Sequence, residues 1–249
     1  MTVSGRREEA LMSLTELWRF YLPLSQALFQ MAQREDCVRV SAGVTGPPGS
    51  GKSVFSALMD KVINVCLTDH EIHAATCSLD GFHFSNNYLD SHSVSEGGER
   101  VALRTRKGAP DTFDVDGFLQ ALDRLNSDPT VLMPRYDRRL HDPVPDAIEI
   151  EHSDRIVLVE GNYLLLEEGR WADVASRLNP CLFLDISLEA VKPRMIERHM
   201  RGGRDRADAA RHFDRVDRAN FEKVMANANR ADLVISRNKN QRIEAVHRP

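Results

Sequence analysis

Several things are scarce in this chain of 249 residues, and each scarcity removes a class of protein. Cysteine occurs four times, at Cys37, Cys66, Cys77 and Cys181, widely scattered and without a C-x-x-C pair. That excludes a disulfide framework or a thiolate zinc site and predicts four reduced packing residues. No apolar run approaches the roughly 20 residues of a membrane-spanning helix, so no membrane partner is expected. Neither sign of charge dominates: 33 Lys and Arg stand against 37 Asp and Glu, a net charge of −4, with no global basic field to attract nucleic acid. The opening residues, MTVSGRREEA, contain acids and lack the apolar core of a secretion signal, so the expected location is cytoplasmic. There is no internal repeat. What remains is an ordinary apolar share of 42% and 28% charged residues, enough for one large α/β domain.

Within that ordinary background one stretch stands out: Gly46-Pro47-Pro48-Gly49-Ser50-Gly51-Lys52-Ser53, which satisfies G-x-x-x-x-G-K-[ST]. An apolar segment over 38–44 precedes it and reads as a short buried strand. The segment 54–62 follows with helical apolar spacing. Strand, glycine-rich loop and helix together make a cradle in which backbone N–H groups and a helix N-terminus face phosphate oxygens. Gly46 to Val54 are the expected nucleotide-binding residues, with Lys52 reaching the β/γ-phosphates and the Ser53 hydroxyl ligating Mg²⁺.

The remaining elements alternate. Strands are expected over 72–79, 155–159, 181–186 and 231–236, with helices over about 114–126, 188–201 and 209–229, and Thr130–Pro134 as a short edge strand. This pattern predicts a three-layer α/β/α P-loop NTPase fold with a mostly parallel five-stranded central sheet and a short lid. An amphipathic helix over about 10–34, carrying Leu11, Leu14, Trp18, Tyr21, Leu24 and Leu28 on one side, reads as packing on the sheet. Its broad aromatic face would also suit a homodimer interface. Pro23 is expected to split or kink it. The organisation is then a helical extension over 1–36, a nucleotide-binding domain over 37–240 and a polar tail over 241–249.

Two acids stand where ligands gather in such sheets, at the carboxyl ends of strands: Asp80 and Glu160. Asp80 can orient or deprotonate a hydroxyl acceptor, and Glu160, interrupting an otherwise apolar strand, can hold Mg²⁺. Arg198, Arg201 and Arg204 lie in a glycine-hinged turn and read as a lid closing over phosphates. The guanine-recognition motif N-K-x-D has no counterpart, since Asn238-Lys239-Asn240-Gln241 lacks the aspartate, and Glu160-Gly161 takes the place of a D-x-x-G. ATP is therefore the expected donor. A phosphotransferase acting on a small hydroxyl compound accounts for Asp80 and for the stretch Tyr136–His141. The competing reading is a regulator that hydrolyses ATP to drive a protein partner, which would need no acceptor base. Trp171 falls outside the motifs and is expected in the core.

The motifs also resemble those of the phosphoribulokinase/uridine kinase family. GPPGSGKS is similar to its phosphate loop, although Val54 replaces the frequent threonine. Asp80-Gly81-Phe82-His83 resembles D-x-F-[YH], and Tyr136-Asp137-Arg138-Arg139-Leu140-His141 resembles the Y-D-x-x-x-H of uridine kinases. Val159-Glu160-Gly161 resembles the family's E-G, and Ala231-Asp232-Leu233-Val234-Ile235 its A-D-x-[IV]-[IV] strand closing the nucleotide site. Arg106 to Asp114 and Val144-Pro145-Asp146 are similar to stretches of bacterial pantothenate kinase. The texture is nearest a bacterial subgroup described as nucleoside/nucleotide kinase-like or as fructose-transport-associated. The resemblance implies Asp80 as catalytic base, Lys52, Arg198 and Arg201 as transition-state cations, and Ser53 and Glu160 as metal ligands. It implies His83, Lys107, Tyr136, Arg138, His141 and Asn162 as acceptor contacts, for a nucleoside or sugar-like compound, a sugar phosphate or a pantothenate-like one.

Overall fold

The computed structural model describes residues 12–67 and 72–249, together with the backbone of residues 2–3 and 6–7. The expected helix start at Ala10 and Leu11 lies outside the described residues. A six-stranded sheet forms the middle layer. In spatial order it runs Ile243–His247, Leu233–Arg237, Cys181–Asp185, Val40–Thr45, Ile156–Glu160, Ala74–Ser78. All neighbours pair in parallel except the first two, which are antiparallel. The five expected strands are present. The sixth, Ile243–His247, lies in the polar stretch beyond residue 240 and corrects the count of five. Its alternation is weak because only Ile243 is buried, which is how an edge strand reads.

The strand Ile156–Glu160 shows why the layers form. All five residues are buried, with Val157 and Val159 in the core on one side and Ile156 and Leu158 in the core on the other. The helix Val115–Ser127 covers the first side with Phe118, Leu119, Leu122 and Leu125. The other is covered by Lys52–Cys66, through Phe55, Met59 and Ile63, and by the N-terminal helix. That N-terminal helix buries Tyr21, Leu24, Leu28 and Ala32 against the same core, with Tyr21 tilted on Phe55 at 5.4 Å between centroids. Leu14 and Trp18 stay exposed. Pro23 does not break the helix. Its missing N–H is accommodated by a π-turn over Leu17–Tyr21, where Leu22 N donates to Leu17 O.

Thr130–Pro134 was expected at a sheet edge. Instead Val131–Asp137 pairs with Asp142–Ile150 in a separate antiparallel hairpin, with a bulge between Met133 and Arg135. The bulge falls at Pro134, which has no N–H to give a ladder. Trp171 is buried edge-on against Phe113 and Tyr163, as expected of a core residue. Cys77 and Cys181 are buried and Cys37 is half-buried against the core, whereas Cys66, the last residue of its helix, is exposed and does not pack. No helix among the described residues is long and apolar enough to cross a membrane.

Candidate active site

The phosphate loop joins the central strand Val40–Thr45 to the helix Lys52–Cys66 and owes its shape to three glycines. Gly46, Gly49 and Gly51 have φ of 144°, 82° and 86°. A Cβ on Gly46 would lie 2.6 Å from the Leu184 carbonyl oxygen. Lys52 is buried, and its Nζ donates to the carbonyls of Gly46 (2.8 Å) and Pro47 (3.1 Å). Burial pushes its pKa down to about 8, against the opposing pull of Glu160 and Asp80. Two residues absent from the sequence expectations fasten this loop. Arg237 Nη1 donates to Ser50 O (2.8 Å), and Gln241 Nε2 donates to Gly49 O (3.0 Å). Arg237 ends the strand Leu233–Arg237 and Gln241 lies in the turn that leads on to the edge strand, a stretch that looks in the sequence like a solvated tail.

The loop forms one wall of a cavity of about 650 Å³. Register places the acids on its floor: Glu160 pairs in the ladder with Val44 on one side and Ser78 on the other, two residues before Asp80. Ser53 Oγ donates to Glu160 Oε1 at 2.9 Å. Two cis ligands of an octahedral Mg²⁺, each about 2.0–2.1 Å from the ion, stand about 2.9 Å apart, so these hard oxygens fit the expected metal. Burial raises the pKa of Glu160, and neighbouring Asp80 raises it further; Lys52 opposes both. For Asp80 burial also raises the pKa, but His83, Arg138, Arg198 and Lys52 outweigh it and keep the carboxyl below its ordinary value.

Opposite the loop lies a polar and aromatic wall. His83 Nδ1 lies 2.9 Å from the Asp80 backbone carbonyl, which fixes Nδ1 as the protonated nitrogen, and its ring packs on Phe113 at 3.8 Å and near Tyr136 at 5.2 Å. Burial lowers the His83 pKa, and burial lifts that of Tyr136 to about 12. Lys107 donates to Asn86 Oδ1 and to the His141 carbonyl, both at 2.7 Å, and stands 5.0 Å above the Tyr136 ring. Burial and Arg104 lower its pKa to about 8. The hairpin reaches this wall by crossing Gly81: a Cβ there would lie 2.3 Å from the Pro134 carbonyl oxygen.

His83, Lys107, Tyr136, Arg138, Asn162, Arg198 and Arg201 all border this cavity with Lys52, Ser53, Asp80 and Glu160. His141 does not. It sits exposed at the hairpin tip with φ of 54°, and only its carbonyl takes part, by holding Lys107. Asp137 accepts from Arg139 N (2.7 Å) and Leu140 N (3.2 Å) and so builds the turn. The lid helix Leu188–Arg201 turns Arg198 toward the cleft, where burial and Arg138 lower its pKa. Arg201 is engaged with Glu197 at 2.7 Å. Arg204 pairs with Asp208 and is not among the lining residues. Asp232 does not reach the cavity; it accepts from Cys181 N at 2.7 Å and stitches two strands together. His199, His212, Asp217 and Asn220 also line the cleft and had no sequence motif to announce them.

With this geometry established, the comparisons are informative. The sequence profile of the Phosphoribulokinase / Uridine kinase family matches residues 42–244. YggC of Escherichia coli (strain K12) is 32% identical over 237 residues, covering 94% of this chain and 93% of that one. A uridine kinase-like protein of Schizosaccharomyces pombe is 32% identical over 201 residues, 79% of this chain and 83% of the other. Among solved structures, a candidate fructose transport system kinase from Silicibacter sp. TM1040 superposes with a TM-score of 0.73 at 26% identity, over 83% of this chain and 94% of that one. D-glycerate 3-kinase from Cryptococcus neoformans shares the fold at a TM-score of 0.66 and 16% identity, over 96% of this chain and 100% of the other. The chain is thus a member of the phosphoribulokinase/uridine kinase family of P-loop kinases.

Proposed function

We propose that the protein is an ATP-dependent small-molecule kinase that transfers the γ-phosphoryl group to a hydroxyl of a nucleoside or sugar-like acceptor. The observation that carries this reading is Asp80. It is a carboxylate kept ionised at the floor of a cleft, between a phosphate cradle and a wall of His83, Tyr136 and Arg138. Asp80 takes the acceptor proton as the acceptor oxygen forms its bond to the γ-phosphorus and ADP departs with the bridging oxygen. Lys52 releases the Gly46 and Pro47 carbonyls to meet the β/γ-phosphates, and Arg198, joined by Arg201 once it leaves Glu197, faces the moving charge. Bound at Ser53 and Glu160, Mg²⁺ would neutralise charge on the β- and γ-phosphate oxygens. The His83 tautomer leaves Nε2 unprotonated, free to accept from a second acceptor hydroxyl.

Arg138 favours a second reading of the acceptor. It lines the cavity and forms no salt bridge among the described residues, and a guanidinium fork suits a carboxylate or phosphate. A sugar phosphate or a carboxylated, pantothenate-like acceptor would occupy it; a neutral nucleoside would not. The test is ADP release with MgATP against a panel of nucleosides, sugars, sugar phosphates and pantothenate. Stimulation by one class identifies the acceptor. Asp80→Asn should then lower kcat at least ~100-fold with little change in ATP affinity, the scale of general-base catalysis. Turnover that responds to no acceptor but does respond to a protein partner would sink the kinase reading, and unchanged turnover in Asp80→Asn would remove Asp80 from it.

A further inference from the structure

On the lid side of the cleft, three potential ligands converge that the kinase chemistry leaves unused: His199, His212 and Asp217. One ligand atom from each lies within 4.8 Å of the other two. His199 comes from the lid helix, one residue beyond Arg198. His212 ends the short helix Arg206–His212, and Asp217 ends the π-turn Phe213–Asp217. The π-turn explains the meeting. In an α-helix, residues five apart point in different directions, whereas the i→i+5 ladder, seen in Arg218 N donating to Phe213 O, brings positions five apart into line. His212 and Asp217 are such a pair.

Two further observations separate this cluster from an ordinary surface ion pair. His199 Nε2 lies 2.6 Å from Asp217 Oδ2, and both side chains are largely enclosed. His212 packs edge-on against His199 with centroids 4.6 Å apart, yet its Nδ1 is buried without a hydrogen-bond partner. An imidazole nitrogen left unsatisfied beside a second imidazole and a carboxylate is costly for a protein to keep empty.

We propose that His199, His212 and Asp217 bind a divalent transition-metal ion of the zinc class. Two imidazoles and one carboxylate suit such an ion, whereas Mg²⁺ calls for oxygen ligands like those of Ser53 and Glu160. The ion takes the place of the proton shared between His199 and Asp217, which passes to solvent. Three protein ligands would leave a further coordination position on such an ion, and all three residues border the cleft. The ion fastens the lid helix to segment 206–217 and so fixes the direction of Arg198 over the phosphates.

The test uses the full-length protein stripped with chelator, with the metal chloride alone as probe. Calorimetry with Zn²⁺ should show one equivalent bound. His212→Gln and His199→Gln should each weaken binding at least about tenfold, the loss that removal of even an outer-shell partner of a metal ligand causes. Ser53→Ala should leave Zn²⁺ affinity unchanged. Loading the wild-type protein with Co²⁺ should give visible ligand-field bands without a thiolate charge-transfer band, a reading that needs no variant to fold. Absence of saturable binding, wild-type affinity in both histidine variants, loss of binding in Ser53→Ala, or a thiolate band pointing to Cys66 would each overturn the proposal.

Discussion

Lys52 meets the phosphates only if it carries its proton, and its burial makes that conditional. With its pKa pushed down to about 8, the free enzyme holds a charged Lys52 at neutral pH and loses it as the pH rises through 8. A triphosphate binds the protonated form, so ATP affinity should fall above pH 8, approaching tenfold per pH unit until binding no longer selects the charge. Lys107 also titrates near 8, but on the acceptor wall; Lys107→Met should leave the ATP profile intact while altering acceptor KM. Calorimetric titrations with ATP between pH 7 and about 9.5 decide it, and a flat profile would mean that Lys52 does not govern donor binding. At this scale the sequence was most informative. Lys52, Ser53, Asp80 and Glu160 are named by a motif or by a polar residue ending an apolar strand, both local signals. His141 was misplaced because a motif fixes spacing and not side-chain direction: a positive-φ turn sends its ring to solvent and its carbonyl to Lys107. Asp217 had no local signal, since its position depends on a π-turn that periodicity does not reveal.

Elements carry the next level of constraint, and the hairpin Val131–Ile150 shows it best. It crosses the turn Leu79–Phe82 so closely that Gly81 admits no side chain: a Cβ would stand 2.3 Å from the oxygen and 2.7 Å from the carbon of the Pro134 carbonyl. Because backbone cannot rotate away, Gly81→Ala must displace the hairpin that carries Tyr136 and Arg138. The expected cost is about 1–3 kcal/mol in urea unfolding, the range for forcing extra volume into a packed site, together with a raised acceptor KM. A stability within error of wild type would show that the hairpin is free to move. On the donor side the end of the strand Leu233–Arg237 and the turn after it play the corresponding part. Arg237→Ala removes the bond to Ser50 O and the contacts to Gln241 O, so the loop loses its outer support. Its ATP KM should rise several-fold with kcat little changed; an effect on kcat alone would contradict a supporting role. The central strands were legible because burial on both faces leaves continuous apolar runs. The hairpin and the edge strand were not, since half-exposed polar strands such as 142–150 lack that pattern and declare themselves only through pairing.

Across the whole molecule, the two ends of the described chain are tied together by one buried acid. Glu16 caps the N-terminal helix through Ser13 and also accepts from the Arg242 guanidinium and from Ile243 N at 3.1 Å. The helix that covers one face of the sheet is thus bound to the strand that closes its edge, and that strand's turn holds the phosphate loop. Burial raises the pKa of Glu16, but the hydrogen bonds from Arg242, Ser13 and Ile243 outweigh it and leave the carboxyl below its ordinary 4.5. The sign follows from that direction. The unfolded chain takes up the proton first as the pH falls, so Glu16 stabilises the fold fully above about pH 4.5 and loses that contribution as the pH drops through its folded value. Glu16→Gln keeps the shape and removes the charge. At neutral pH it should cost about 1.5–3 kcal/mol, the worth of hydrogen bonds to a charged group, and the gap to wild type should narrow as the pH is lowered below 4.5. Because Arg242 adjoins Gln241, the same variant should also raise the ATP KM although Glu16 lies outside the cavity lining. Urea unfolding of both proteins at several pH values, paired with ATP kinetics at neutral pH, measures both effects. A stability gap independent of pH would show that the Glu16 charge is not the tie, and an unchanged KM would show that the edge strand holds the phosphate loop without help from the N-terminal helix.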